Sequence, residues 1–189
     1  MALTRFVIDG YGQLELNNVA FRRDGRVEAQ CALDATDFAS VPAENGMLLA
    51  VDRINRVVQF FDSSDDVYPI ALNYTAEHMY DERANALKDF KLELGEFYPR
   101  LGYLSVGDLF TTNCISYDKG SGSGQFADDA AVETALAAIG TTPLYGGACA
   151  NGTIVLGTSA PEKGPVLKVV EKTTMPDGTL GVKFQVLTA

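Results

Sequence analysis

Apolar and polar residues alternate most clearly near the end of the chain. Over 182–186 the sequence reads VKFQV, with an apolar side chain at every second position. This period of two is typical of a half-buried β-strand. Asp177 and Gly178 precede the segment, and an Asp-Gly pair supplies the positive-φ residue that a tight turn requires. With the apolar run over 165–172, the pattern predicts a closing β-hairpin.

Similar patterns earlier in the chain predict further short strands. Residues 13–33 alternate imperfectly around an Asp-Gly pair and predict a hairpin. Residues 46–62 predict two strands, and their continuous apolar run over 47–51 indicates a strand buried on both faces. The segment after them is extended, and Pro69 places it at a sheet edge or a bulge. Other predicted strands span 103–106, 109–116 and 152–158.

Helical periodicity occurs in two segments. Residues 76–89 carry apolar side chains at helical spacing, with acidic residues early and a lysine late. Residues 127–139 predict a helix that Asp128 or Asp129 caps at its start and Gly140 at its end. The predicted fold is therefore mainly β, an antiparallel barrel or sandwich with two short inserted helices and an extended N-terminal arm.

The arm is predicted from the first twelve residues. In 1–12, Asp9 and two glycines interrupt the apolar positions. Such a segment is unstable alone and needs a surface to lie on. No linker divides the rest of the chain, so 13–189 is predicted to form a single β-rich domain.

Charge and composition narrow the classes of function. Fifteen basic against twenty-five acidic residues give a net charge of −10, which disfavours nucleic-acid binding. The densest basic spot, Arg22, Arg23 and Arg26, is interpreted as a solvated hairpin turn. No stretch approaches the roughly 20 apolar residues of a membrane span, and no signal peptide is recognised. We therefore expect no membrane partner and a soluble protein made in a cytoplasm.

Catalytic and metal chemistry has little support. His78 is the one histidine, and its neighbours Asp81 and Glu82 are interpreted as a solvated helix face. A serine or cysteine nucleophile would need His78 as its base, and a metal site would need further ligands. The three widely spaced cysteines predict buried thiols in a reducing compartment. We expect no enzyme, and no catalytic, cofactor-binding or metal-binding residues.

The order of elements carries a family resemblance. An apolar arm precedes a glycine-rich β domain with strands such as GYLSVGDLFTTN, and the chain closes on the hairpin VLKVVEKTTMPDGTLGVKFQVL. This order resembles the small virion structural proteins of tailed bacteriophages, and it is most similar to head decoration, or cement, proteins. The resemblance lies in the kind and order of the elements over the whole chain, and not in a diagnostic motif. The chain departs from the smallest decoration proteins in its length and in its inserted helix pair.

The resemblance implies a binding function without turnover. A decoration protein binds the outer head shell and stabilises it through non-covalent contacts, so the partners would be the major capsid protein and copies of this chain. The protein would be assembled in the host cytoplasm and would act at the head surface of the virion. Apolar arm residues would bury surface on the shell, and many copies would add avidity. The candidate contact residues are Phe6, Val7, Ile8, Tyr11, Tyr117 and Phe126.

The sequence leaves other classes of function open. Within the virion, the chain could instead be a tail-tube subunit, a minor head protein or the main shell protein. A cytoplasmic hydrolase that uses His78 is the enzyme alternative. A ligand-binding β-barrel is a further alternative, and a closed apolar pocket would favour it.

Overall fold

The fold is a two-sheet, sandwich-like arrangement with little helix. A computed structural model describes residues 5–62, 68–75, 86–117 and 126–189. In chain order the elements within these ranges are β1 (Leu14–Asn18), α1 (Ala20–Asp24), β2 (Val27–Glu28), β3 (Ala32–Leu33), β4 (Leu48–Asp52), β5 (Val57–Gln59), β6 (Ile70–Asn73), a 3-10 turn (Leu87–Asp89), β7 (Leu101–Gly102), β8 (Leu109–Thr112), β9 (Ile115–Ser116), α2 (Asp129–Ala137), β10 (Tyr145–Ala148), β11 (Ile154–Gly157), β12 (Val166–Thr174) and β13 (Leu180–Thr188).

Both sheets are mixed, and neither closes into a barrel over the residues just given. The first has the order β1-β8-β13-β12-β10-β11-β9, and the second has the order β2-β7-β6-β4-β5-β3. Strands β9 and β11 pair in parallel, as do β3 and β5, while the remaining pairs are antiparallel. The prediction of a mainly β fold is confirmed, and of the two predicted architectures the sandwich is the correct one.

The closing hairpin organises the first sheet. Strand β13 lies between β12 and β8, and its alternating residues Val182, Phe184 and Val186 are buried as predicted. The Phe184 ring packs against Phe110 of the neighbouring strand, with 5.7 Å between ring centroids. This interior strand thus places three apolar side chains in the core of the domain.

The second sheet is built around a strand buried on both faces, as predicted. All five residues of β4 are buried, and β4 pairs with β5 on one side and β6 on the other. Leu48 faces the core cluster shared with the first sheet, whereas Leu49 packs in a second cluster. This strand therefore serves both hydrophobic clusters of the domain.

The hairpin predicted over 13–33 is wrong. Strand β1 pairs with β8 in the first sheet, whereas β2 pairs with β7 in the second. Between them Phe21 is fully buried, with its ring 5.0 Å from that of Tyr74. Phe21 lies in the short helix α1, and Gly25 ends this helix in the left-handed conformation with φ of 69°. The Asp-Gly pair is a helix end here, although it resembles a hairpin turn.

Several other boundaries differ from the predictions. Pro69 precedes β6, an interior strand between β7 and β4, so it marks neither an edge nor a bulge. The strand predicted over 103–106 is wrong, because β7 ends at Gly102 and the next strand, β8, begins at Leu109. The glycine-rich β10 was not predicted. Most of the helix predicted over 76–89 lies outside the described residues, and its last residues form the 3-10 turn.

The second predicted helix is confirmed. Helix α2 runs over Asp129–Ala137, within the predicted 127–139, and the Asp128 side chain accepts a hydrogen bond of 2.8 Å from the amide of Ala131. The carboxylate satisfies an amide that has no partner inside the helix. The helix ends at a cap on Ala138, two residues before the predicted Gly140.

Truncating the central aromatic side chain of β13 tests the role of the closing hairpin. We expect Phe184→Ala to lower the free energy of unfolding by about 3–5 kcal/mol, because the ring is fully buried and its loss leaves a cavity. Its neighbour Gln185 is half-buried, and Gln185→Ala is the matched control with an expected change of less than about 1 kcal/mol. Urea unfolding followed by circular dichroism measures both, and equal losses would contradict the assignment.

Candidate partner-binding surface

Residues 5–12, called the strap here, lie along the domain. Arg5 forms an antiparallel bridge with Ser116 of β9, the edge strand of the first sheet. The amide of Phe6 donates to the carbonyl of Ile115 at 3.1 Å. Further along, the amide of Tyr11 donates to the carbonyl of Lys88 at 2.7 Å. The strap thus extends the first sheet at one end and reaches the 3-10 turn at the other.

A buried carboxylate holds both ends of the strap. Glu44 is only 3% exposed, and its two oxygens accept from the Arg5 guanidinium at 2.7 and 2.5 Å. The second oxygen also accepts from the amide of Gly12 at 2.6 Å. Burial opposes the positive charge of Arg5, but the hydrogen bonds with Glu44 outweigh this and raise the pKa of the guanidinium. One side chain therefore fixes the first and last residues of the strap.

The residue after the strap is tied to the turn of the closing hairpin. The amide of Gln13 donates to the side chain of Asn113 at 2.7 Å, and its side-chain amide donates to Asp177 at 2.6 Å. Thr179 donates to the same carboxylate at 2.7 Å. Although desolvation acts in the opposite direction, the hydrogen bonds from Thr179 and Gln13 lower the pKa of Asp177. The polar network therefore connects the residue after the strap to the turn of the closing hairpin.

Two of the six predicted contact residues are buried. Phe6 and Tyr117 are each 5% exposed and pack on one another, with 6.1 Å between ring centroids. Both belong to the hydrophobic cluster shared by the two sheets. In this chain their rings face the core, so they offer little surface to a partner.

The other predicted contact residues lie nearer the surface. Val7 is 85% exposed, the highest fraction among the six. Ile8 and Phe126 are half-buried against the shared cluster. Tyr11 is also half-buried, and the amino group of Lys91 lies 5.5 Å from its ring centroid. A role in partner contact stays a prediction for all six, and Val7 is the one that the strap presents most fully.

Sequence reasoning found the apolar residues of the strap but missed its anchors. Glu44 lies in the loop before β4, and nothing in its local sequence points to Arg5. The signal that could have found it is the cation at position 5, since a charge in an apolar arm that folds onto a surface needs a partner. Gln13 and Asn113 are polar residues in short strand-like segments, and their burial follows only from the tertiary fold.

Catalytic and metal chemistry finds no new support among the described residues. In that part of the chain, no group of three His, Cys, Asp or Glu side chains could hold a metal ion. His78, Asp81 and Glu82 lie outside it. The prediction of buried thiols is confirmed, since all three cysteines are buried and none of them forms a disulfide. Burial, with a smaller effect from Glu44, raises the pKa of the Cys114 thiol to about 12.

The comparisons with known proteins give no relative. No protein-family model, no curated protein and no solved structure matches this chain. Over the ranges that the structure describes, no helix is both long enough and apolar enough to cross a membrane.

Removing the charge at the strap anchor should release the strap. We expect Glu44→Gln to lower the free energy of unfolding by about 2–3 kcal/mol, because it leaves the Arg5 charge without its counter-ion in a mostly buried place. Glu133 pairs with Lys172 on the surface, so Glu133→Gln is the matched control, with an expected loss below about 1 kcal/mol. Urea unfolding gives the loss, and amide hydrogen exchange at Phe6 and Gly12 shows whether the strap detaches.

Burial of Cys114 should make stability depend on pH. In the unfolded chain the thiol has a pKa of about 8.5, whereas in the folded protein its pKa is about 12. The stability that the buried neutral thiol contributes is therefore complete below pH 8.5 and is lost as pH rises toward 12. Between pH 7 and 9.5, we expect the wild type to lose about 1 kcal/mol more stability than Cys114→Ala. Urea unfolding at the two pH values measures the difference, and parallel losses would contradict the raised pKa.

Proposed function

We propose that the chain is a head decoration protein of a tailed bacteriophage, which binds the outer shell and stabilises it. The observation that carries the proposal is the strap. Its main chain is fixed to the domain by Glu44 and β9, and it presents an apolar side chain, Val7, with 85% of its surface exposed. A fixed main chain loses little conformational freedom when that side chain binds a partner.

The charge of the chain supports the same function. A net charge of −10 suits the outer face of a shell better than an interior filled with DNA phosphates. The proposed partners are accordingly the major capsid protein and further copies of this chain, at the head surface. The order of elements, from the arm to the closing hairpin, is the feature in which this chain resembles decoration proteins.

Many weak contacts can hold such a protein on its shell. Burying one valine side chain contributes about 1.5 kcal/mol, which is too little to bind a single site firmly. A shell repeats its surface, and copies of the chain that also contact one another bind with avidity. The stabilisation of the shell then comes from the number of bridging copies.

A charge placed on the exposed strap residue tests the proposal. We expect Val7→Asp to lower binding to phage heads by at least tenfold, because an aspartate cannot be buried on an apolar patch without a large desolvation cost. The measurement is co-sedimentation with purified heads that lack the chain, from the phage that encodes it. The fold should be unaffected, since Val7 does not contribute to the core.

An equally exposed apolar residue elsewhere provides the control. Ile54 lies in the turn between β4 and β5 and is 91% exposed, so Ile54→Asp makes the same chemical change far from the strap in sequence. Retained binding in this variant shows that the position matters and general acidity does not. Wild-type protein that fails to bind heads, or Val7→Asp protein that binds them unchanged, would overturn the proposal.

A further inference from the structure

A cleft lies apart from the strap, where parts of both sheets meet a long loop. It has a volume of about 390 Å³ and is partly open to solvent. Its walls come from the start of β6, the segment after β7 and the loop between β11 and β12. The residues that line it are Arg26, Tyr68, Pro69, Ile70, Tyr103, Leu104, Gly164, Pro165 and Ala189.

The floor of the cleft is apolar and its walls carry aromatic rings. Leu104 and Pro165 are buried at its base, and Ile70 is half-buried beside them. Tyr68 and Tyr103 are both half-buried, so each ring keeps part of its surface in the cleft. Rings and prolines of this kind form the grooves that bind extended, proline-containing peptides.

Arg26 carries the only charged side chain among the residues that line the cleft. In the part of the chain that the structure describes, Arg26 makes one side-chain hydrogen bond, of 2.8 Å to Ser105, and no ion pair. Ala189 also lines the cleft, but no ion pair joins it to Arg26. The lining contains no acidic side chain. Arg26 therefore has free N–H donors for an anion from outside.

A second cation, Arg53, lies beside the cleft, where it contacts one of the rings in the lining. The Arg53 guanidinium lies 5.1 Å from the centroid of the Tyr103 ring and donates to its hydroxyl at 3.1 Å. Glu28 accepts from Arg53 at 3.2 Å, which partly offsets that charge. Arg53 itself does not line the cleft, so Arg26 is the cation that a ligand in the cleft would contact.

We propose that the cleft binds an extended, acidic, proline-containing peptide segment. Carboxylates of the segment would pair with Arg26 through charge-assisted hydrogen bonds. Its prolines would pack on Tyr68 and Tyr103, above the floor formed by Leu104 and Pro165. This site is independent of the strap, so its occupancy does not depend on the decoration function proposed above.

Fluorescence anisotropy with a labelled peptide of alternating glutamate and proline tests the site in the full-length protein. We expect Arg26→Gln to weaken binding roughly fivefold or more, and Arg26→Lys to retain part of the affinity, because the lysine keeps the charge but loses the fork of donors. Affinity should also fall as NaCl is raised. Arg23→Gln is the matched control, since Arg23 is exposed and pairs with the adjacent Asp24.

Each result separates the proposal from an alternative. Selective loss in Arg26→Gln, with Arg23→Gln unchanged, supports it. Equal affinity for a lysine-proline peptide would overturn it, as would no binding of the acidic peptide. A galacturonate oligosaccharide that binds more tightly than the peptide would also overturn it, because the site would then recognise an acidic sugar. Circular dichroism of the variants confirms that each one is folded, since both arginines are exposed.

Discussion

The buried carboxylate of Glu44 is the constraint on which the path of the chain depends. A carboxylate that is 3% exposed must be paired, since an isolated buried charge would cost several kcal/mol. Its partners, Arg5 and Gly12, lie at the two ends of the strap. Its own carbonyl accepts from the side chain of Asn73 in β6 at 2.9 Å. A single residue thus links the strap to the interior of the second sheet.

In the same region a main-chain hydrogen bond joins the two sheets. The amide of Leu48 in β4 donates to the carbonyl of Gly152, just before β11, at 2.8 Å, and within the first sheet the amide of Ile154 in β11 donates to the carbonyl of Cys114 at 3.0 Å. Buried polar groups need such partners. The contact between the two sheets, called the seam here, is therefore held by hydrogen bonding as well as by apolar packing. The strap rests on this seam, and its stability is therefore coupled to that of the whole domain.

Sequence reasoning succeeded where a local period decides the structure and failed where tertiary contacts decide it. The alternation over 182–186 and the capping aspartate of α2 are local signals, and the structure confirms both. The Asp-Gly pair before Arg26 is also local, but burial of Phe21 selects a helix end over a hairpin. Glu44 and the cleft around Arg26 assemble residues far apart in the chain, and no local pattern contains that information.

The strap also shows which of its positions are constrained by folding. Gly10 has φ of 82°, and a Cβ there would lie 2.3 Å from the carbonyl oxygen of Lys88, so a side chain cannot be accommodated. A Cβ on Gly12 would lie 2.6 Å from the carbonyl oxygen of Asn45. Phe6 is needed by the core. Val7 is 85% exposed, so among these four positions it is the one that folding constrains least.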